Sequence, residues 1–246
     1  MFFRILNNNK KLPLNSKKLL FTTNKRLFHN LQPKTTILSK ITPQIQDEIN
    51  YILDNPPNVP TIIGNKKIYN IVETQYIGQN KVCNYNYINK ETLLEGMNNY
   101  QENKEKWNKI KLNDRLDIFL DAANKIENEY YNKMMAYTIL GQNKTPHEAE
   151  IDSICELADF LRFNVSYIYE INNKQPISPI NENFRGKTYN INNSSEYLPH
   201  NGFIASITPF NFTAIGGNLA LTPLMMGNIV FWNPSDNSIL SNYLIY

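Results

Sequence analysis

The strongest constraint on this chain is a pair of short apolar runs within Gly202–Asp236, each stopped by a proline. Phe203-Ile-Ala-Ser-Ile-Thr208 ends at Pro209, and Ile229-Val-Phe-Trp232 ends one residue short of Pro234. Proline cannot donate to a ladder, so each run has strand length and a fixed end. Between them Thr213 suits a helix N-cap, Gly227 a C-terminal stop and Pro223 a kink, which predicts a helix over 214–226. Strand, helix and strand in roughly thirty residues make one right-handed βαβ unit with two buried parallel strands. Ligands collect at the carboxyl ends of such strands, so the turns Thr208–Asn211 and Asn233–Asp236 are the candidate functional positions.

The stretch before this unit reads as helices preceded by short strands. Asn50–Pro60 is rich in Pro and Asn and predicts an extended arm. Thr61–Tyr69 has a Gly64-Asn65 centre suited to a hairpin, and Val82–Ile88 to a strand. From Lys90 the apolar positions Leu93, Leu94, Met97 and Trp107 take helical spacing; further helices are predicted over Asp114–Ile126 and Glu129–Leu140. Thr145-Pro146-His147-Glu148 is a capping box with proline at the first helical position, opening a helix to about Ile168. Its buried stripe would be Ile151, Ile154, Leu157, Ala158, Leu161 and Val165, leaving Asp152, Glu156, Asp159 and Arg162 on other faces.

Charge separates the start of the chain from the rest. Nine of the 25 Lys and Arg lie in the first 46 residues, where there is no acid, so the remaining 16 face all 22 acidic residues. Basicity confined to one end argues against a nucleic-acid face. An acid-free start mixing Arg, Lys, Leu, Phe and hydroxyl residues has the composition of a mitochondrial transit segment, assigned to residues 1–42, with the folded domain over 43–246. No apolar stretch approaches the roughly 20 residues of a membrane span. Cys83 and Cys155 lack CxxC or His-containing spacing, which leaves a metal site or disulfide framework without support and reads as two buried, reduced thiols. Of the histidines His29, His147 and His200, none stands as an obvious base.

Ile207-Thr-Pro-Phe-Asn-Phe-Thr213, followed by Trp232-Asn-Pro-Ser-Asp236, resembles the aldehyde dehydrogenase superfamily. With Gly141-Gln-Asn-Lys-Thr145 and Ala149-Glu-Ile-Asp152, the string Pro209–Leu219 is similar to its delta-1-pyrroline-5-carboxylate dehydrogenase branch in particular. The resemblance runs from about Pro43 to Tyr246 and covers the first half of such an enzyme. It implies an α/β fold with helices on a partial Rossmann-like parallel sheet, and an extended oligomerisation arm over Gln175–Asn193. By the same resemblance the reaction is oxidation of glutamate semialdehyde to glutamate with NAD, in the mitochondrial matrix.

The resemblance also assigns residues. Asn211 matches the side-chain amide that stabilises the oxyanion formed when a thiolate adds to the aldehyde. Ile207, Thr208, Pro209, Phe210, Asn233 and Ser235 match positions bordering the cofactor, with Asn233 standing where relatives carry a lysine that bonds the adenosine ribose. Glu156 matches a glutamate on the substrate side, and Leu198 stands where relatives tend to have Arg. The family's nucleophilic cysteine and general-base glutamate fall beyond residue 246, so this chain alone is expected to be inactive. The alternative expectation is a non-catalytic partner that associates with a full-length relative or a separate C-terminal half.

Overall fold

The computed structural model describes residues 40–64 and 66–246, together with the backbone of Phe2 and Phe3. Nearly all of the transit-segment assignment therefore lies outside the described residues. The strands are β1 (Phe2–Phe3), β2 (Asn58–Val59), β3 (Thr61–Ile63), β4 (Lys66–Ile68), β5 (Ile71–Ile77), β6 (Asn80–Tyr87), β7 (Ile180–Phe184), β8 (Lys187–Ile191), β9 (Phe203–Ile207) and β10 (Ile229–Asn233). The helices are α1 (Pro43–Asp54), α2 (Lys90–Asn98), α3 (Tyr100–Asn108), α4 (Leu112–Glu127), α5 (Tyr131–Gln142), α6 (Pro146–Ala149), α7 (Leu157–Asn173), α8 (Thr213–Met225) and α9 (Ile239–Ile245).

The predicted βαβ unit is present. β9 and β10 pair in parallel, from Phe203 opposite Ile229 to Ile207 opposite Asn233, with α8 as the crossover. They belong to a mixed five-stranded sheet in the order β4-β3-β1-β10-β9. β10 is buried except at Asn233, but β9 is only half-buried, with Ala205 and Ile207 exposed. The expectation of two buried strands fails for β9 because it is the last strand of the sheet among the described residues. The β3–β4 hairpin is antiparallel as expected, with Gly64 at φ +60°. A second sheet, β2-β6-β5, contains the predicted strand over Val82–Ile88.

Two local expectations are corrected. The stretch from Asn50 is not extended at first. It continues α1 to Asp54, which Thr42 caps by accepting from the Ile45 N–H, with Pro43 in the first turn and Ile45, Ile49 and Ile52 on one buried face. The helix opened by the Thr145 capping box is also not uniform. Between α6 and α7, Glu150–Glu156 forms a π-helical segment. The wider turn shifts the faces out of α-helical register, so Asp152, expected on another face, is fully buried and Ile151 only half-buried.

One main core joins α1, α4, α5, α7, α8, β10 and α9. Gly217 of α8 faces Leu157 of α7, where a Cβ would sit 2.7 Å from Leu157 Cδ1; the two helices meet there through the missing side chain. Cys83 and Cys155 are both buried in reduced form, as the sequence indicates. Leu157→Ala should cost about 2–5 kcal/mol in urea unfolding because it opens a cavity in this seam. Tyr167→Ala, at a site 56% exposed, should stay within about 0.5 kcal/mol.

Candidate active site

The turns after β9 and β10 lie side by side. The Thr208 N–H donates to the Asn233 carbonyl at 3.1 Å, and the Trp232 Nε1–H donates to Thr208 Oγ1 at 3.2 Å. Thr208 is thereby buried, while Ile207, Phe210, Asn211 and Asn233 remain exposed and Pro209 and Ser235 are half-buried. The structure thus sets the ends of β9 and β10 side by side, joined through Thr208 to Asn233 and Trp232. Glu156 is on a different element, one turn beyond Asp152 on the π segment.

The loop that carries Asn211 is pinned on both sides. Upstream, Ser238 Oγ donates to the Pro209 carbonyl at 3.2 Å. Downstream, the Thr213 and Ala214 N–H groups donate to Oδ2 and Oδ1 of Asp152, each at 2.8 Å. Thr213 was expected to cap α8 with its own side chain. Instead Phe212 is the N-cap residue and provides no side-chain acceptor, so the orphan N–H groups go to Asp152. The Thr213 hydroxyl is used sideways, 2.7 Å from Ser241 Oγ and accepting from Gln142 Nε2 at 2.7 Å. Lys144 Nζ donates to Asp152 Oδ2 at 2.7 Å and lies 4.3 Å above the Phe212 ring. The sequence does not mark Asp152 and Lys144 as site residues, because the π segment that turns Asp152 inward toward Lys144 has no sequence signature.

Beside Asn211 is a cavity of about 410 Å³, whose lining includes Gln75, Gln142, Lys144, Phe210 and Asn237. Gln75 fixes its back wall by donating to the Gly141 carbonyl at 2.7 Å. The Glu156 carboxyl is raised above its ordinary range, first by burial and then by the negative charge of Asp152, with Lys144 acting in the opposite direction. Neither thiol belongs to this site. Burial pushes the Cys83 thiol up to about 12, Lys81 offsetting only part of the shift. Cys155 is 3% exposed.

A model of the aldehyde dehydrogenase family matches residues 65–246, and the chain belongs to that family. Its curated relatives are delta-1-pyrroline-5-carboxylate dehydrogenases. The probable enzyme of Schizosaccharomyces pombe is 40% identical over 199 residues, covering 78% of this chain and 34% of the relative. The mitochondrial enzyme of Homo sapiens is 38% identical over 192 residues, covering 76% and 32%. The chain thus spans about a third of the length of these relatives. The Mycobacterium tuberculosis enzyme, solved bound with NAD, superposes with a TM-score of 0.74 at 28% identity, covering 88% of this chain and 42% of that one.

A thiol held near pKa 12 exposes about one thiolate in ten thousand at pH 8, so the native chain should react with a disulfide reagent at least about 10³-fold more slowly than the urea-unfolded chain. The same shift sets a pH dependence. Below the ordinary thiol pKa of about 8.5 both states keep the proton; above it the unfolded state loses it first, so the Cys83 contribution to stability falls as pH rises from about 8.5 toward 12. Fast labelling of Cys83 in the native chain would contradict its exclusion as a nucleophile.

Proposed function

We propose that this chain forms the oxyanion-donating and cofactor-facing part of an NAD-dependent delta-1-pyrroline-5-carboxylate dehydrogenase of the mitochondrial matrix, which oxidises glutamate semialdehyde to glutamate in proline degradation. The observation that carries the reading is Asn211: an exposed side-chain amide at the carboxyl ends of two parallel strands, on a loop whose two sides are pinned. Several relatives are named as mitochondrial enzymes, which agrees with the acid-free basic start.

When a thiolate adds to the aldehyde carbon, the carbonyl π electrons move to oxygen, and that oxyanion needs a fixed N–H donor. Asn211 Nδ2 supplies one, and the pinned loop removes the cost of orienting it during the reaction. Cys83 and Cys155 are both buried and unsuited to be that thiolate; the family resemblance assigns the nucleophile, and the base that activates water to release the acid, to positions beyond these 246 residues. The 246-residue chain by itself is therefore inactive on this reading.

The strand-end residues fit a dinucleotide. Ile207 and Phe210, 78% and 60% exposed, offer apolar faces to planar rings; the Asn233 amide and the Ser235 hydroxyl suit ribose oxygens. NAD, when bound, supplies the hydride acceptor. Asn233 brings no positive charge, so the contact lacks about 1–3 kcal/mol available to a charge-assisted hydrogen bond. On the substrate side, Glu156 offers a half-buried carboxylate to the substrate ammonium.

One observation favours association with another chain. Every residue of the β7–β8 hairpin is exposed, including Ile180, Phe184, Tyr189 and Ile191. Its two-residue Arg185-Gly186 turn, with φ of +50° and +73°, matches a type I′ hairpin. An isolated two-stranded hairpin is marginal in water. This arm fits strand addition to a second copy or to a longer relative, which is also how a non-catalytic partner would dock.

Joining this chain to the remaining C-terminal part of the Schizosaccharomyces pombe relative should yield semialdehyde-dependent NADH formation. In that protein Asn211→Ala should lower kcat by about 10²- to 10³-fold with the NAD affinity nearly unchanged. Asn233→Lys should instead tighten NAD by about tenfold with little change in kcat. A silent Asn211→Ala would overturn the assignment.

A further inference from the structure

Asp152 is completely buried, and both of its carboxylate oxygens are used within this loop. The helix it caps does not need a distant residue for that purpose. A Ser, Thr, Asp or Asn at position 212 would satisfy one of the orphan N–H groups, that of Ala214 or Ile215, locally. Phe212 stands there instead, and its ring lies under the Lys144 ammonium that neutralises Asp152. A cap borrowed from the π segment does one thing that a local cap cannot. It ties the start of α8 to a second element, so the loop has a fixed position as well as a fixed helical start.

Three consecutive residues are held in this way. Phe212 is held through its ring, and Thr213 and Ala214 through their N–H groups, all by the same ion pair. Asn211 is the next residue upstream. From there the chain returns to Pro209, which Ser238 holds, and Ser238 also accepts Ser241 Oγ–H at its carbonyl at 3.1 Å. Ser241 is in turn 2.7 Å from the Thr213 hydroxyl, so the two anchors are linked behind the loop. Only Phe210 and Asn211 are exposed within this ring of contacts.

We infer that Asp152 and Lys144 act as the positioning pair for Asn211, holding the residues that follow it and so fixing where its side-chain amide is presented. The inference rests on the assignment of Asn211 as oxyanion donor for its functional meaning, but not for its geometry. Both act through residues 212–214, by way of the Phe212 ring and the N–H groups of Thr213 and Ala214. Lys144 also lines the cavity beside Asn211, so loss of its charge would be felt on the same side as the amide.

The test uses the full 246-residue chain, labelled with ¹⁵N, without NAD or aldehyde. Asp152→Asn should raise hydrogen exchange at the Thr213 and Ala214 amides by about 10- to 100-fold, the loss of one charge-assisted hydrogen bond each. It should also shift the Asn211 side-chain amide signals. Lys144→Met should raise exchange at the same Thr213 and Ala214 amides as well as move the Asn211 signals, and it keeps the proposal testable should Asp152→Asn fail to fold; moved Asn211 signals with unchanged exchange at 213 and 214 would report only the lost charge and overturn the proposal. Arg162→Met breaks a different partly buried ion pair, with Glu127, and should leave the Asn211 signals in place. Unmoved Asn211 signals in the Asp152 and Lys144 variants, or equal movement in the Arg162 variant, would overturn the proposal and reduce Asp152 to a structural cap. In the joined enzyme, Asp152→Asn should lower kcat with KM nearly constant, and the double variant with Asn211→Ala should be no slower than Asn211→Ala alone. Failure of the joined enzyme to turn over counts against the proposed function, while the Asn211 signals still decide this inference.

Discussion

Helix α8 has almost no polar face, and the rest of the structure is arranged to cover it. Its sequence, Thr-Ala-Ile-Gly-Gly-Asn-Leu-Ala-Leu-Thr-Pro-Leu-Met, has no charge and carries apolar residues on several sides. Such a helix must be packed from several directions. β10 takes one side, while the π segment, α7, α4 and α9 take others. Gly216 and Gly217 let Asn242 and Leu157 approach its axis closely. Both ends then depend on side chains from elsewhere. At the N-terminus Asp152 accepts two N–H groups. At the C-terminus Trp107 Nε1 donates to the Leu224 carbonyl at 2.8 Å, Arg115 Nε to Met225 at 3.1 Å, and Asn228 Nδ2 to Pro223 at 3.0 Å. Negative charge at one end and positive charge at the other both suit the helix dipole. A helix held at both ends and packed along its length leaves the loop before it little freedom, and Asn211 is on that loop.

Much of this was legible in the sequence because its signals are local. Two prolines end two apolar runs, Gly227 adopts φ +90° at the predicted stop, and the Thr145 capping box forms with both reciprocal bonds. Of the residues that carry the family resemblance, Ile207–Thr213 and Trp232–Asp236 fall at the strand ends, while Gly141–Thr145 and Ala149–Asp152 lie on helices and their connection beside them. The features that were not legible depend on tertiary context. α1 was partly hidden in a Pro- and Asn-rich stretch, although Thr42-Pro43 is a sound start signal and Ile45, Ile49 and Ile52 have helical spacing. The inward turn of Asp152 depends on a π segment whose residues, Glu-Ile-Asp-Ser-Ile-Cys-Glu, look like ordinary helix. Thr213 had the right residue type for a cap, but a nearby carboxylate with two oxygens and a full charge outcompetes a hydroxyl.

Charge placement around the site follows from the same geometry. Asp152 is neutralised by Lys144 in a nearly dry setting, where an unpaired carboxylate would be costly. Glu156, one turn along, has only the remoter influence of that lysine and is the group whose carboxyl is pushed upward. One acid is thus committed to structure, and the other is left half-buried and, among the described residues, without a partner charge of its own.

The most direct measurement is hydrogen exchange by mass spectrometry on the 246-residue chain with and without saturating NAD. Protection concentrated in peptides spanning 207–212 and 233–236, with the 180–191 hairpin unchanged, is the expected result. No protection at those two turns, or protection confined to other parts of the chain, would contradict the assignment of the paired strand ends as the cofactor-facing site.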